Sequence, residues 1–180
     1  MLALVGISHH RAPVELRERV ALDARGARAV ARRLADEVGE GVCLSTCNRT
    51  ELYVVGAGGG QAAAEATLVG LGGEEIGPAL YRLRDDAAAL HLFRVAAGLD
   101  SMVPGEGEIL GQVRAAYEAG APGPVLDRLF RQALHAGRKA RSQTAIGESP
   151  ASVSSAAAAL AEQVFGDLRG CRIVLVGAGK

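Results

Sequence analysis

Seven consecutive residues, Ser45-Thr46-Cys47-Asn48-Arg49-Thr50-Glu51, hold the densest chemistry in the 180-residue sequence. A thiol, a carboxamide, a guanidinium and a carboxylate fall within five positions. A fixed cation beside a thiol favours the thiolate. The thiolate is a competent nucleophile toward acyl carbon. Arg49 has a second possible use, since its planar fork can clamp a substrate carboxylate through two parallel hydrogen bonds. The plainer alternative is a structural cysteine, packed as a small hydrophobe, beside a solvated turn.

The flanking residues state what must position this stretch. Residues 41–46 and 50–55 read as two strands around a short loop, a hairpin-like pair. Ahead of them, residues 2–8 form a first apolar strand, and Pro13 opens a short helix where proline is tolerated. Asp23 caps a second helix whose apolar positions, Ala24, Ala27, Val30, Ala31, Leu34 and Val38, recur at helical spacing until residues 39–41 stop it. A third helix is expected over 61–71 and a fourth strand over 79–83. Asp85 and Asp86 place acids at the positive end of a fourth helix. Four short strands alternating with helices make a small α/β sandwich, and from Asp85 onward the pattern is almost wholly helical. The spacing alone does not set the strand order.

Two glycine-rich stretches invite comparison with nucleotide-binding turns. Residues 54–61 follow a strand and open a helix, but Gln61 occupies the third glycine position, so a flexible loop is the better reading. Residues 171–180 are a near-continuous apolar run ending in Gly177-Ala178-Gly179, the pattern of the first strand and turn of a dinucleotide fold. Cys171 reads as core there.

Composition narrows the classes further. Lys plus Arg and Asp plus Glu number 20 each, so only local clustering can speak for a nucleic-acid partner. Such a cluster exists over 127–144, where Arg128, Arg131, Arg138, Lys139 and Arg141 follow Asp127 without another acid. At about 100° per residue they span, with His135, about 160° of arc. Leu129, Phe130, Ala133, Ala136, Gly137 and Ala140 lie opposite, leaving the cationic side for phosphates or for solvent. Three cysteines without framework spacing argue against a disulfide scaffold, and Cys43 and Cys47 lack the companions of a structural zinc site. No signal peptide and no apolar run of the roughly 20 residues needed to span a bilayer is visible. A reducing cytoplasm is the expected setting, with no membrane and no metal.

The string S-T-C-N-R-T-E-L-Y resembles the nucleophile motif of the glutamyl-tRNA reductase family. G-I-S-H-H-R-A-P-V-E-L-R-E, from Gly6, and H-L-F-R-V-A-A-G-L-D-S-M-V-P-G-E-G-E-I-L-G-Q-V, from His91, resemble two further blocks of that family. The resemblance implies a ferredoxin-like antiparallel sheet with helices, an α/β (α+β) fold, then a helical region and the first strand of an incomplete Rossmann domain. It implies that Cys47 attacks the glutamyl ester of charged tRNA. NADPH then reduces the thioester to glutamate-1-semialdehyde, at the start of tetrapyrrole (porphyrin) synthesis. His91 would support the chemistry. Thr46, Asn48, Arg49, Ser101, Glu106, Gly107, Glu108 and Gln112 would contact substrate, and Gly177, Ala178 and Gly179 would begin the NADPH site.

The implied organisation is a catalytic domain over 1–148, the start of a linker helix over 149–169, and a truncated NADPH domain over 170–180. Standing alone, such a chain is expected to act at most as an esterase on glutamyl-tRNA. The downstream aminomutase is a possible partner, and a homodimer would form through a region beyond Lys180. His9 and His10 read as loop residues beside the pocket. Pro104 and Glu108 depart from the family pattern, which expects an aliphatic residue and a glutamine there. A different-class alternative is a non-catalytic tRNA-binding or small-molecule regulatory module, which would leave Cys47 unreactive.

Overall fold

A computed structural model describes residues 1–147 and 153–174. Its centre is a four-stranded antiparallel sheet of β1 (Leu2–Ser8), β2 (Glu40–Ser45), β3 (Arg49–Val55) and β4 (Tyr81–Arg84), in the order β2-β3-β1-β4. With α2 (Ala24–Val38) joining β1 to β2, and α3 (Gly60–Gly72) with a 3-10 segment (Glu74–Ala79) joining β3 to β4, this is the ferredoxin-like arrangement. The short α1 (Val14–Arg19) precedes α2. Beyond the sheet come α4 (Asp85–Ala96), α5 (Glu108–Ala119), α6 (Pro124–Gln143) and α7 (Val153–Phe165). Among the described residues, no helix is long and apolar enough to cross a membrane.

Both faces of the sheet are covered, so its strands sort their side chains with period two between two cores. Ala3, Val5, Ile7, Cys43, Leu52 and Val54 face α2 and α3, where Leu34, Ala64, Leu68 and Ile76 complete one core. Leu2, Leu4, Val42, Leu44 and Tyr53 face the other side, against Leu92, Val95, Val113, Leu126 and Phe130 of α4–α6. Each fully buried Leu or Phe contributes about 1.5–3 kcal/mol of transfer free energy. Two aromatic contacts, Tyr53 on Phe130 edge-on at 5.3 Å and Tyr117 stacked on Phe130 at 6.0 Å, tie the sheet to α5 and α6.

Local chemistry ends the helices where expected. Asp23 caps α2, its carboxylate accepting from Gly26 N–H at 2.7 Å, and Gly39 terminates it at φ 122°. The N-terminus of α6 is capped from a distance. The buried Glu40 carboxylate accepts from Val125 N–H at 3.2 Å and Leu126 N–H at 2.7 Å, fixing α6 to the edge of β2.

Two expectations are corrected here. Residues 97–107 are not helical; they form a loop between α4 and α5 with Gly98 at φ 79° and Gly105 at φ 86°. Cys171–Val174 form no strand, and Cys171 is exposed, not core. A strand of a parallel fold needs partners beside it, and no described strand pairs with this segment. Gly177, Ala178 and Gly179 lie outside the described residues, as do Ser149 and Pro150. Of the glycines after β3, Gly56 is packed, since a Cβ there would stand 2.1 Å from the Val38 carbonyl oxygen, whereas a Cβ on Gly58 or Gly59 would meet nothing within 4 Å.

Candidate active site

Cys47 and Asn48 form the two-residue tip of the β2–β3 hairpin. Ser45 pairs with Thr50, and Thr46 N–H donates to the Arg49 carbonyl at 2.8 Å. Two-residue hairpins usually need positive φ at the tip, yet neither Cys47 nor Asn48 has it. Side chains hold the turn instead. Thr46 Oγ1 accepts from the N–H groups of Asn48 at 3.1 Å and Arg49 at 3.2 Å. Arg17 of α1 donates to the Cys47 carbonyl at 2.5 Å and to Asn48 Oδ1 at 3.4 Å. His9 N–H closes on the Asn48 carbonyl at 2.9 Å. Four backbone groups near Cys47 are thus fixed while the cysteine itself stays exposed, and among the described residues its sulfur has no hydrogen-bond partner. By contrast, burial, helped by the charge of Glu51, pushes the Cys43 thiol up to about 12 and leaves it inert.

Beneath the tip, Arg49, Glu51 and Tyr53 alternate onto the α4–α6 face of β3 and are buried. Glu51 Oε1 accepts from Arg49 Nη1 at 2.9 Å and from the Tyr81 hydroxyl at 2.6 Å, and lies 2.8 Å from His91 Nε2; Oε2 accepts from the Tyr53 hydroxyl at 2.6 Å. Burial pushes this carboxyl up. The hydrogen bond from His91, the charges of His91 and Arg49 and the Tyr53 hydroxyl overcome it and hold the group at about 2. Burial, with Glu51 beside them, raises both tyrosines well above their ordinary range. Gly6 lies opposite both Glu51 and Tyr81, and a Cβ there would meet the Tyr81 hydroxyl at 2.7 Å and Glu51 Cγ at 2.9 Å.

Asp100, in the 97–107 loop, completes the hub. Its carboxylate accepts from Arg49 Nη1 at 2.8 Å, and its carbonyl accepts from Arg49 Nη2. The other carboxylate oxygen lies 3.6 Å from His10 Nε2. Burial opposes the Arg49 charge, but Glu51, Tyr81 and Asp100 together hold its pKa above the ordinary value. Burial, His10 and Arg49 lower His9, whose ring stands 4.0 Å from that of His10.

The structure therefore brings Thr46, Cys47, Asn48 and Arg49 into one braced hairpin, reaches His91 through Glu51, and reaches the buried Ser101 through its neighbour Asp100. Arg49, expected as a clamp for the substrate carboxylate, is engaged within the chain in this structure. That guanidinium is 2% exposed, with Nη1 shared by two carboxylates and Nη2 on the Asp100 carbonyl, so it is the keystone of the hub, not a free fork. His91 points its Nε2 at Glu51, and no hydrogen bond joins it to Cys47. Glu106 is half-buried, Gly107 and Glu108 are exposed at the start of α5, and Gln112 is half-buried one turn on. No hydrogen bond links these four to the hairpin.

Sequence reasoning missed Arg17, Glu51, Tyr53, Tyr81 and Asp100 as working parts. The Arg-x-Glu-x-Tyr alternation on a strand was the available signal, because period two puts all three on one face.

The cationic side of α6 is partly confirmed. Arg128, Arg131, His135, Arg138 and Lys139 are exposed, and Arg131, His135 and Arg138 line an open groove of about 400 Å³ with Arg114 of α5. Arg131 lies 3.8 Å from Asp127. Arg141 departs from the stripe: half-buried, it donates to the carbonyls of Gly105, at 3.2 Å, and Glu106.

Residues 5–144 match the family model for the glutamyl-tRNAGlu reductase N-terminal domain. The chain is 50% identical over 193 residues to a glutamyl-tRNA reductase of Rubrobacter xylanophilus, an alignment covering 100% of the chain and 44% of that relative. It is 46% identical to a glutamyl-tRNA reductase of Thermus thermophilus, covering 99% of the chain and 45% of the relative. A solved glutamyl-tRNA reductase from Methanopyrus kandleri superposes with a TM-score of 0.71 at 35% identity, over 92% of this chain and 40% of that one. The chain thus spans less than half the length of these relatives. A fold, a braced cysteine hairpin and a family match over 140 residues agree: the chain belongs to the glutamyl-tRNA reductase family, and its match falls on that family's N-terminal domain.

Proposed function

We propose that this chain carries the acyl-accepting site of a glutamyl-tRNA reductase, an oxidoreductase of tetrapyrrole biosynthesis, and that Cys47 is its nucleophile. One observation carries the reading: an exposed thiol sits at a hairpin tip whose backbone is fixed by Thr46, Arg17 and His9. A reacting atom held rigidly and open to a large substrate is what attack on an aminoacyl ester requires. The thiolate sulfur adds to the ester carbonyl carbon and the ribose oxygen departs, taking a proton. The glutamyl group is left as a thioester on Cys47. His91, coupled to the hairpin through Glu51 and Arg49, orients the site; it does not touch the sulfur.

NADPH supplies the hydride that turns such a thioester into an aldehyde. The residues assigned to it, Gly177, Ala178 and Gly179, lie outside the described residues, so the chemistry derived from this chain stops at the thioester. We assign 1–148 to acyl transfer, 149–169 to a linker helix and 170–180 to the opening of the nucleotide domain. Ser101, Glu106, Gly107, Glu108 and Gln112, on the loop and on the start of α5, are the proposed rim of the glutamyl pocket. The α5–α6 cations are the proposed seat of tRNA phosphates. A homodimer, a cytoplasmic setting and transfer of product to an aminomutase belong to the same reading.

The test is single-turnover reaction with glutamyl-tRNA radiolabelled in the glutamyl group, without nucleotide. Label should appear on the protein in a form cleaved by hydroxylamine, and free glutamate should be released faster than in buffer. Cys47→Ser should abolish both. Glutamate release that survives this change would remove Cys47 from its role and favour the binding-module alternative.

A further inference from the structure

We infer that Arg141, near the C-terminus of α6, is a positioning residue for the active site, acting through the 97–107 loop. Among the described residues, the loop's hydrogen bonds to the hub run through Asp100, whose carboxylate and carbonyl both accept from Arg49. The far end of the same loop is held as well. Arg141 holds it: Nη1 donates to the Gly105 carbonyl at 3.2 Å and Nη2 to the Glu106 carbonyl. A planar fork suits two consecutive carbonyls, and a lysine cannot reproduce it.

Three further features belong to the same clamp. Gly98 lets the guanidinium approach, since a Cβ there would lie 3.1 Å from Nη2, and its carbonyl accepts from Gly105 N–H at 3.0 Å. Gly105, at φ 86°, lies against the segment that follows α6, where a Cβ would meet the Ile146 carbonyl oxygen at 2.6 Å. Both Nη groups of Arg141 are engaged by the loop, which withdraws the side chain from the cationic face, and among the described residues its buried Nε has no hydrogen-bond partner. One loop is therefore gripped at two points, Asp100 and Gly105–Glu106, by two arginines from different elements, Arg49 of β3 and Arg141 of α6. Loosening either grip frees Asp100, and with it Arg49 and the base of the Cys47 hairpin.

The kinetic arm of the test rests on the acyl-transfer reading; the exchange arm does not. In Arg141→Ala, amide hydrogen exchange at Gly105 and Glu106 should rise tenfold or more while β1 and β3 stay protected. Arg141→Lys should fall between, and it serves both arms if the alanine variant fails to fold. The second-order rate of Cys47 acylation by glutamyl-tRNA should fall about tenfold in Arg141→Ala. In an Asp100→Asn background the same change should add little, because both residues act through one loop. A purely structural role would instead lower stability and give additive kinetic losses. Unchanged exchange at Gly105, or additive losses, overturns the inference. A parent protein that is never acylated refutes the acyl-transfer reading and the kinetic coupling with it, leaving exchange to decide whether Arg141 is the clamp.

Discussion

Glu51→Gln is the perturbation that most directly probes the hub. The parent carboxylate is fully buried and bonded to Arg49, Tyr53, Tyr81 and His91. Glutamine matches its shape. With the amide nitrogen turned toward Tyr53, whose hydroxyl can accept, the remaining oxygen keeps its three partners. What is lost is the charge, leaving Arg49 with Asp100 as its only anionic partner. Removing one member of a buried ion pair costs about 3–5 kcal/mol. Because the hydrogen bonds survive, the lower end applies, about 3 kcal/mol. In urea, a slope of about 2 kcal/mol/M turns that into a midpoint about 1.5 M lower, with the slope unchanged.

The pH dependence supplies an independent check. The carboxyl is held at about 2 when folded, against an ordinary 4.5. A group depressed on folding stabilises fully above its unfolded value and loses that contribution as pH falls through its folded value. The gap corresponds to a contribution on the order of 3 kcal/mol. The stability difference between parent and Glu51→Gln should therefore be constant above about pH 5 and shrink steadily between 4.5 and 2. A loss below about 1 kcal/mol at pH 7, or a difference that persists unchanged to pH 3, would refute the account of Glu51 as the charged centre of the hub.

Two further predictions concern neighbouring features. Gly6→Ala forces a methyl against the Tyr81 hydroxyl and Glu51 Cγ, and should destabilise by about 1–3 kcal/mol, with Tyr81→Phe partly relieving it in a double-mutant denaturation cycle. Reversing Arg131 and Arg138 to Glu should weaken glutamyl-tRNA binding and flatten its salt dependence without altering Cys47 alkylation by a small reagent. Unaltered affinity at low and moderate salt would return that face of α6 to solvent.

The elements were legible because their punctuation is local. Asp23, Gly39 and Pro13 act within a turn of where they stand, and strand patterns of five or six apolar residues have few other uses. The strand order, by contrast, followed from the family resemblance and not from spacing, since nothing within one strand names its neighbour. The site was half legible for the same reason. Cys47 stood out by type and setting, and the structure finds it exposed at a braced hairpin tip. For Arg49, sequence shows a cation near a thiol but not the two carboxylates that it bonds within the chain. One of those, Asp100, lies 51 residues away, in a loop read as helix. Arg141 was misassigned on identical grounds: a helical wheel sorts residues by angle, and near a helix end a long side chain can fold back onto a loop that the wheel does not contain.

On the proposed reading of Cys47 as nucleophile, these two arginines explain how an exposed thiol can be placed precisely. A thiol buried for rigidity would be out of reach of a tRNA end, and an exposed turn ordinarily lacks fixed geometry. Here exposure and order are assigned to different atoms. The sulfur is open, while the backbone beneath it is fixed by Arg17, Thr46 and His9 and continues into β3, where Arg49 and Glu51 enter the core as a neutralised pair. Removing either charge would leave the other buried and short of its partner, at a cost of about 3–5 kcal/mol. The hub therefore bears on placement as well as on folding energy, and the loop bearing Asp100 and Ser101 shares that placement because Arg49 bonds Asp100 and Arg141 bonds Gly105 and Glu106. A substitution that loosens the loop should reach Cys47 without touching it.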